Sequence, residues 1–359
     1  MPSKETTIIQ SDIQTILNAP LGWSAFCGRT VLITGAGGAL ASYLVATLMG
    51  LNDQALGDPC RVLALVRNPD AAATRLGPYL GRDDFELVIG DVVQPIVPLG
   101  KIDFILHAAS PATGRQFNSD PVGTLRANII GTDNMLQLAL RNPVQGFLML
   151  SSGEVYGQTD AAMISERDYG YLDPATVRAC YGEGKRAAET LCVTWAHQYG
   201  IATYIARIMH TYGPQIDVTD GRIYSDFAAD ILAGRNLKIM SDGRARRPFC
   251  YVTDAIIGLF TILLKGEVAC PYNLGNDEAV LSIRELAHCL TTEAFPQLQL
   301  GVELPENIDE AKYPKTILTG GQPDLGRLRA LGWTPKVNII EGFRRTVASL
   351  SEASLLDRA

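Results

Sequence analysis

TVLITGAGGALAS, residues 30–42, is an apolar strand that runs into glycines and then into the small residues of a helix start. Gly35 makes the tight turn, Gly38 lets a backbone come close to a diphosphate, and Ala41 fills the third small position, where helix and strand pack closely. A diphosphate there faces the helix N-terminus, where backbone N–H groups have no partner inside the helix.

Working outward from this turn, apolar strands alternate with helices from residue 29 onward. TVLIT is followed by a helix over about 39–48, then RVLALV, FELVIGD and DFILHAA, a helix over about 122–140, GFLMLSS, a helix carrying Tyr181, and TYIARI. Strands separated by helices predict an α/β fold, a Rossmann-type doubly wound parallel sheet. After Tyr212 the pattern loosens into GPQIDVTDGR and SDGRARRPF, which predicts a smaller C-terminal α/β substrate lobe. The expected division is an N-terminal arm, 1–28, a dinucleotide-binding domain, 29–212, and a mainly substrate-binding lobe, 213–355, with segments near 245–275 returning to the first domain. In the arm, residues 11–18 read as a short amphipathic helix capped by Ser11 and lying on the outside of the fold.

The chain has 359 residues, 47% hydrophobic and 19% charged, enough for one large domain and a smaller lobe. A net charge of −7 excludes a general nucleic-acid binder. No apolar run reaches membrane-spanning length, and the N-terminal residues lack a signal-peptide core. Seven cysteines show neither paired spacing nor a C-x-x-C metal pattern, so reduced thiols in a cytoplasmic protein without a metal site are expected.

Chemistry enters with Tyr181 and Lys185 in ACYGEGKRAAET. Four residues apart, they share a helix face and can point into one cleft. An ammonium beside a phenol favours the phenolate, which makes Tyr181 the expected general base. Ser152, closing GFLMLSS, is placed to hold a substrate hydroxyl while its carbon gives hydride to a nicotinamide. The residue after the second strand is Arg67, where an acid would bind the adenosine ribose. Arginine there suits a 2′-phosphate or stacks on adenine, so NAD is expected and NADP stays open. Asp91, ending FELVIGD, is the expected adenine contact.

These stretches resemble the extended short-chain dehydrogenase/reductases, in particular the nucleotide-sugar epimerase/dehydratase group, with the pattern of UDP-glucuronate decarboxylase. The resemblance runs over about 29–350 and rests on HAASPA (107–112), EVYG (154–157), RACYGEGKRAAET (178–190), TYGP (211–214), DGRIYSDF (220–227), RPFCYVTDA (247–255) and LGWTPKVNIIEGF (331–343). It implies oxidation of a sugar C4 hydroxyl by a retained nicotinamide, giving a 4-keto intermediate, with Ser152, Glu154, Tyr181 and Lys185 as the catalytic set. It further implies a cofactor site of Gly35, Gly38, Ala39, Leu40, Arg67, Asp91, Val92, Ala108, Ala109, Ser110, Asn128, Tyr181, Lys185 and Ile208. Substrate contacts are implied for Pro111, Phe117, His210, Arg222 and Arg247, and the run Arg244, Arg246, Arg247 reads as a diphosphate clamp. The partners expected are a nucleotide sugar and a second copy of the chain, the homodimer joined through the helices carrying Asn128 and Tyr181.

Three positions depart from the pattern. Gly153 stands where the dehydrating branch carries the acid that protonates a departing C6 hydroxyl, so 4,6-dehydration lacks a part while Glu154 is kept. Phe117 replaces a tyrosine of the decarboxylases, and His210 replaces an asparagine, which points to a different sugar and to His210 as a proton carrier. Decarboxylation therefore leads, a 4-epimerase or 4,6-dehydratase is the alternative, and a non-catalytic nicotinamide-binding regulator is disfavoured by the presence of both Tyr181 and Lys185.

Overall fold

The alternation of strand and helix resolves into one large parallel sheet with helices on both faces. A computed structural model describes residues 7–55, 57–96, 100–305 and 321–356. Its main strands are β1 (Thr30–Thr34), β2 (Arg61–Val66), β3 (Phe85–Ile89), β4 (Phe104–His107), β5 (Gly146–Ser152), β7 (Thr203–Ile208) and β11 (Pro271–Leu274). They lie in the order β11-β7-β5-β4-β1-β2-β3 and pair in parallel throughout. The order reverses between β1 and β4, where Thr34 lies opposite His107, and a crevice opens at such a reversal outside the carboxyl ends of the strands.

Successive residues of β1 point to opposite faces. Val31 and Ile33 join Leu44, Leu48 and Phe260 on one side, whereas Leu32 joins Leu63, Ile105, Met135 and Cys192 on the other. Burial on both faces explains why the strands read as unbroken apolar runs. Helices α2 (Ala39–Asp53), α3 (Pro69–Leu76), α4 (Gly114–Ser119), α5 (Pro121–Arg141), α6 (Ala179–Tyr199) and α8 (Val252–Lys265) cover them.

A second sheet sits over the carboxyl ends. β8 (His210–Tyr212) pairs in parallel with β10 (Arg246–Tyr251), which pairs antiparallel with β12 (Val280–Ser282). Two short ladders join β6 (Met163–Ile164) to β14 (Gln322–Pro323) and β9 (Leu237–Lys238) to β13 (Val302–Glu303). Helices α7 (Ile223–Leu232), α9 (Ile283–Cys289), α10 (Gly326–Ala330) and α11 (Ile339–Leu356) complete this part.

The N-terminal helix differs from expectation. α1 (Ile8–Leu17) begins three residues before Ser11, because Thr7 accepts the Gln10 N–H and the Gln10 side chain returns the bond, a capping box. Nor does it lie loosely outside: Asp12 and Ile16 are fully buried. Asp12 accepts Tyr43 Oη–H at 3.0 Å and Tyr251 Oη–H at 2.8 Å, and Arg345 Nη1 of α11 donates to it at 3.3 Å. Burial raises the Asp12 pKa despite these bonds.

Behind β5, Arg207 of β7 is 2% exposed and donates to Glu189, to Tyr156 Oη and to the Glu166 carbonyl. Ser151 Oγ–H donates to the same Glu189 at 2.5 Å. This charged network seats the strand end that carries Ser152. Among the described residues no helix is long and apolar enough to cross a membrane, and no cluster of His, Cys, Asp and Glu could hold a metal ion.

Candidate active site

The crevice is a groove of roughly 1350 Å³ running from the glycine turn to β8 and β10. That exceeds the ~300–1,000 Å³ of an ordinary single-ligand pocket, leaving space for a dinucleotide and a second molecule.

At one end Gly35 adopts φ +63°, and a Cβ there would lie 2.8 Å from the Ala109 Cα. Only glycine allows this approach of β1 to β4. Thr34 Oγ1 accepts the N–H groups of Ala108 and Ala109 at 3.2 and 3.1 Å. The same hydroxyl meets His107 Nδ1 at 2.8 Å, and His107 Nε2 meets Thr132 Oγ1 at 3.1 Å. Burial pushes the imidazole down to about 3, with Lys185 adding to the effect, so this ring is a neutral strut. Gly38 caps α2 without any side-chain hydrogen bond and the first turn holds no acid. The helix therefore opens into the groove with uncapped N–H groups, which fits the diphosphate of NAD.

Arg75 of α3 reaches over this turn, donating to the Gly37 carbonyl at 3.0 Å and to the Gln215 carbonyl at 2.8 Å. Ser42 Oγ–H donates to the Gln215 side chain. The loop after Tyr212 is thus clasped to the cofactor end.

Ala39, Leu40, Arg67, Asp91, Val92, Ala108, Ala109, Ser110 and Ile208 all line the groove. Asn128 does not: it is 1% exposed, accepts Ser110 Oγ–H at 2.9 Å and donates to the Thr124 carbonyl, so it sits behind the wall and orients Ser110.

Tyr181 and Lys185 occupy one face of α6, both buried, beside Ser152 at the end of β5. The Ser152 hydroxyl is close enough to the Tyr181 phenol to favour its ionised form. The ammonium does not act as the sequence suggested. Lys185 Nζ donates to the Leu150 carbonyl at 2.7 Å, and burial brings its pKa down to about 8. Burial drives the Tyr181 phenol up to about 12, and Glu154 pushes the same way against Ser152, Arg222 and Arg178. In this state Tyr181 is a phenol, because desolvation outweighs every nearby cation.

Glu154 follows Ser152 and Gly153 in a short 3-10 turn, its own N–H donating to Ser152 Oγ at 3.2 Å. Arg178 grips its carboxylate with two bonds of 2.8 and 2.7 Å. The Arg178 guanidinium lies 4.9 Å over the Phe117 ring, and Phe117 in turn stacks on Tyr181 with centroids 4.6 Å apart. Arg178 went unnoticed in the sequence reading, although its position three residues before Tyr181 puts it on the same helix face.

Arg247 and His210 come from adjacent strands of the second sheet. Arg247 is 5% exposed and donates to the Arg246 carbonyl at 2.7 Å; burial lowers its pKa to about 10, opposed by the charge of Glu154. Side-chain alternation along β10 splits the expected clamp. Arg247 and Arg244 line the groove, while Arg246 turns outward to an ion pair with Glu285 at 2.9 Å. Burial, with Arg247 and Arg222 adding to it, holds His210 well below the usual imidazole range. His210 is therefore neutral near pH 7. Arg222 donates to Tyr224 Oη and to the Ala112 carbonyl, bridging the groove beside Pro111.

A glycine-lipped dinucleotide groove that ends at a Ser–Tyr–Lys constellation defines a nicotinamide-dependent enzyme of the short-chain dehydrogenase type. The family described as NAD-dependent epimerase/dehydratase matches residues 31–275, and the chain belongs to it. It is 36% identical over 329 residues to UDP-glucuronic acid decarboxylase 5 of Arabidopsis thaliana, covering 90% of this chain and 91% of that one. With UDP-glucuronic acid decarboxylase 1 of Xenopus tropicalis it shares 34% identity over 320 residues, 89% of this chain and 71% of the relative. Among solved structures, UDP-glucose 4-epimerase of Thermotoga maritima superposes with a TM-score of 0.77 at 20% identity, covering 91% and 100% of the two chains. UDP-glucuronic acid 4-epimerase of Bacillus cereus, solved with UDP-glucuronic acid and NAD, gives 0.74 at 19% identity, covering 90% and 100%. The chain is therefore an enzyme of an NAD-dependent family.

Proposed function

We propose that the protein oxidises the C4 hydroxyl of a nucleotide-linked uronic acid, most closely UDP-glucuronate, to the ketone and then releases its C6 carboxylate as carbon dioxide. The observation that carries this reading is the Glu154–Arg178 pair, whose carboxylate charge reaches Arg247, in the groove that Tyr181 and Ser152 also line. A wall with two guanidinium groups in a chain of net charge −7 suits a carboxylated sugar.

Bound NAD supplies reversible hydride acceptance at the sugar carbon. Gly35, Gly38, Ala39, Leu40, Arg67, Asp91, Val92, Ala108, Ala109, Ser110 and Ile208 hold it, with Asn128 acting through Ser110. Ser152 orients the hydroxyl, and Tyr181, once in its phenolate form, takes its proton. Lys185 fixes the base end of α6 through Leu150. Once C4 is a ketone, the C5–C6 bond breaks and its electron pair passes into the carbonyl as an enolate. Arg178 and Arg247 orient the carboxylate, Ser152 and Tyr181 face the C4 oxygen on which the charge grows, and Glu154 handles the proton that returns to C5. Return of the hydride to C4, with a proton from Tyr181 to its oxygen, restores the hydroxyl. Pro111, Phe117, His210 and Arg222 shape the sugar and nucleotide ends. Gly153 offers no acid for a departing C6 hydroxyl, which separates this site from 4,6-dehydration.

The protein is further read as a cytoplasmic homodimer. Val122, Leu125, Ile130 and Leu140 of α5 and Val193 and Tyr199 of α6 are exposed apolar groups on packed neighbours, suited to a second copy. The seven cysteines carry no disulfide.

Incubation of purified enzyme with UDP-glucuronate and other nucleotide sugars, followed by mass, tests the reaction. Loss of carbon dioxide supports it. Loss of water, or isomerisation at constant mass, moves the assignment to a dehydratase or an epimerase.

A further inference from the structure

The adenosine end of the groove carries a feature that NAD does not require. β2 stops at Val66, and the next residue is Arg67, where a sheet selective for NAD presents an acid to the ribose 2′-hydroxyl. Asn68 cannot take that part, because its side-chain oxygen accepts the Ala71 N–H at 3.1 Å as the cap of α3. Among the described groove residues supplied by 30–96, Asp91 is the one carboxylate, against the cations Arg67 and Arg75.

One oxygen of Asp91 is already taken. Its Oδ1 accepts the Val93 N–H at 3.1 Å, and its Oδ2 stands 3.9 Å from Arg67 Nη1, beyond hydrogen-bond reach. The Arg67 side chain is 64% exposed, so its fork of donors is accessible. Arg75 is bound to the neutral carbonyls of Gly37 and Gln215, and no carboxylate among the described residues pairs with it within 4 Å. Asp217 offsets the charge of Arg75, so the exposed guanidinium of Arg67 is the group left at the place where the two dinucleotides differ.

We propose that Arg67 forms a phosphomonoester subsite at the adenosine ribose, so that the groove binds NADP as well as NAD. A 2′-phosphate brings about −1.5 to −2 charges, and a guanidinium donates two parallel bonds to its oxygens. The inference rests on the NAD-dependent fold and not on the decarboxylation reading. Its test therefore reads binding alone, and its failure leaves that reaction untouched.

Enzyme stripped of bound nucleotide is titrated calorimetrically with NAD and with NADP, unsubstituted and as Arg67→Gln. The expected result is a Kd for NADP within about thirtyfold of that for NAD, and a rise of about fivefold or more in the NADP-to-NAD Kd ratio in the variant. A weaker wild-type affinity for NADP, or a smaller change in the ratio, overturns the proposal. Titrating the unsubstituted protein with 2′,5′-ADP and with ADP keeps the test valid if the variant does not fold. Preference for 2′,5′-ADP supports the subsite, and equal or weaker binding refutes it.

Discussion

The Phe117 ring lies on the Tyr181 ring, the planes 20° apart. Phe117 is 3% exposed, and its ring also carries the guanidinium that holds Glu154. One apolar side chain thus sets the position of both groups proposed to move protons. A tyrosine here would keep the stack and add a hydroxyl, whereas a smaller residue would release it. Phe117→Ala should lower kcat/KM about two- to tenfold, the worth of an aromatic pair at ~0.5–1.5 kcal/mol, and Phe117→Tyr should stay near the starting value. Steady-state kinetics on a uronic-acid nucleotide checks both.

Tyr181→Phe deletes the acidic oxygen and little volume. Turnover should fall by a factor of about 10²–10⁴, the usual worth of a positioned acid or base, while dinucleotide affinity is kept. Near-normal turnover in this variant would remove Tyr181 from the chemistry.

Glu154 raises the Tyr181 pKa and Arg178 lowers it. The limb of the pH–rate profile set by the phenol should therefore move to lower pH in Glu154→Gln and to higher pH in Arg178→Gln. Glu154→Gln should also let reduced nicotinamide accumulate, seen by absorbance, because C4 oxidation proceeds while the later proton step does not. Fixed limbs in both variants would mean that neither charge reaches the phenol.

Asp12 offers a pH-dependence unrelated to catalysis. Its folded pKa lies above the unfolded value near 3.8, so its contribution to stability is full below that value and is lost as pH rises through the folded pKa. The penalty of Asp12→Asn should accordingly shrink as the pH rises above the ordinary carboxylate range. Urea unfolding midpoints at several pH values measure it, and a penalty that grew with pH would contradict the burial of the carboxyl.

Local patterns carried most of this molecule. The strand, glycine turn and helix at 30–53 were legible because each obeys short-range rules, and so were Ser152, Tyr181 and the neutral glycine that follows Ser152. What escaped was decided by packing between distant segments. Nothing local says that Lys185 will turn to the Leu150 carbonyl, or that burial will hold Tyr181 as a phenol and His210 as a neutral ring. Asn128 looked like a cofactor ligand, yet its amide is consumed by Ser110 and Thr124. Arg246 and Arg247 looked alike until the pleat of β10 sent them to opposite sides. Arg178 was the readable omission, since helical spacing alone aligned it with the base.

The contact between Asp12 and Arg345 spans 333 positions. A ribosome emits residues in order at about 5–20 per second, so the carboxylate waits while the residues up to its guanidinium are made. Until then α1 has no α11 to rest against, and a nascent chain can finish its nucleotide groove well before its two extremities are sewn together.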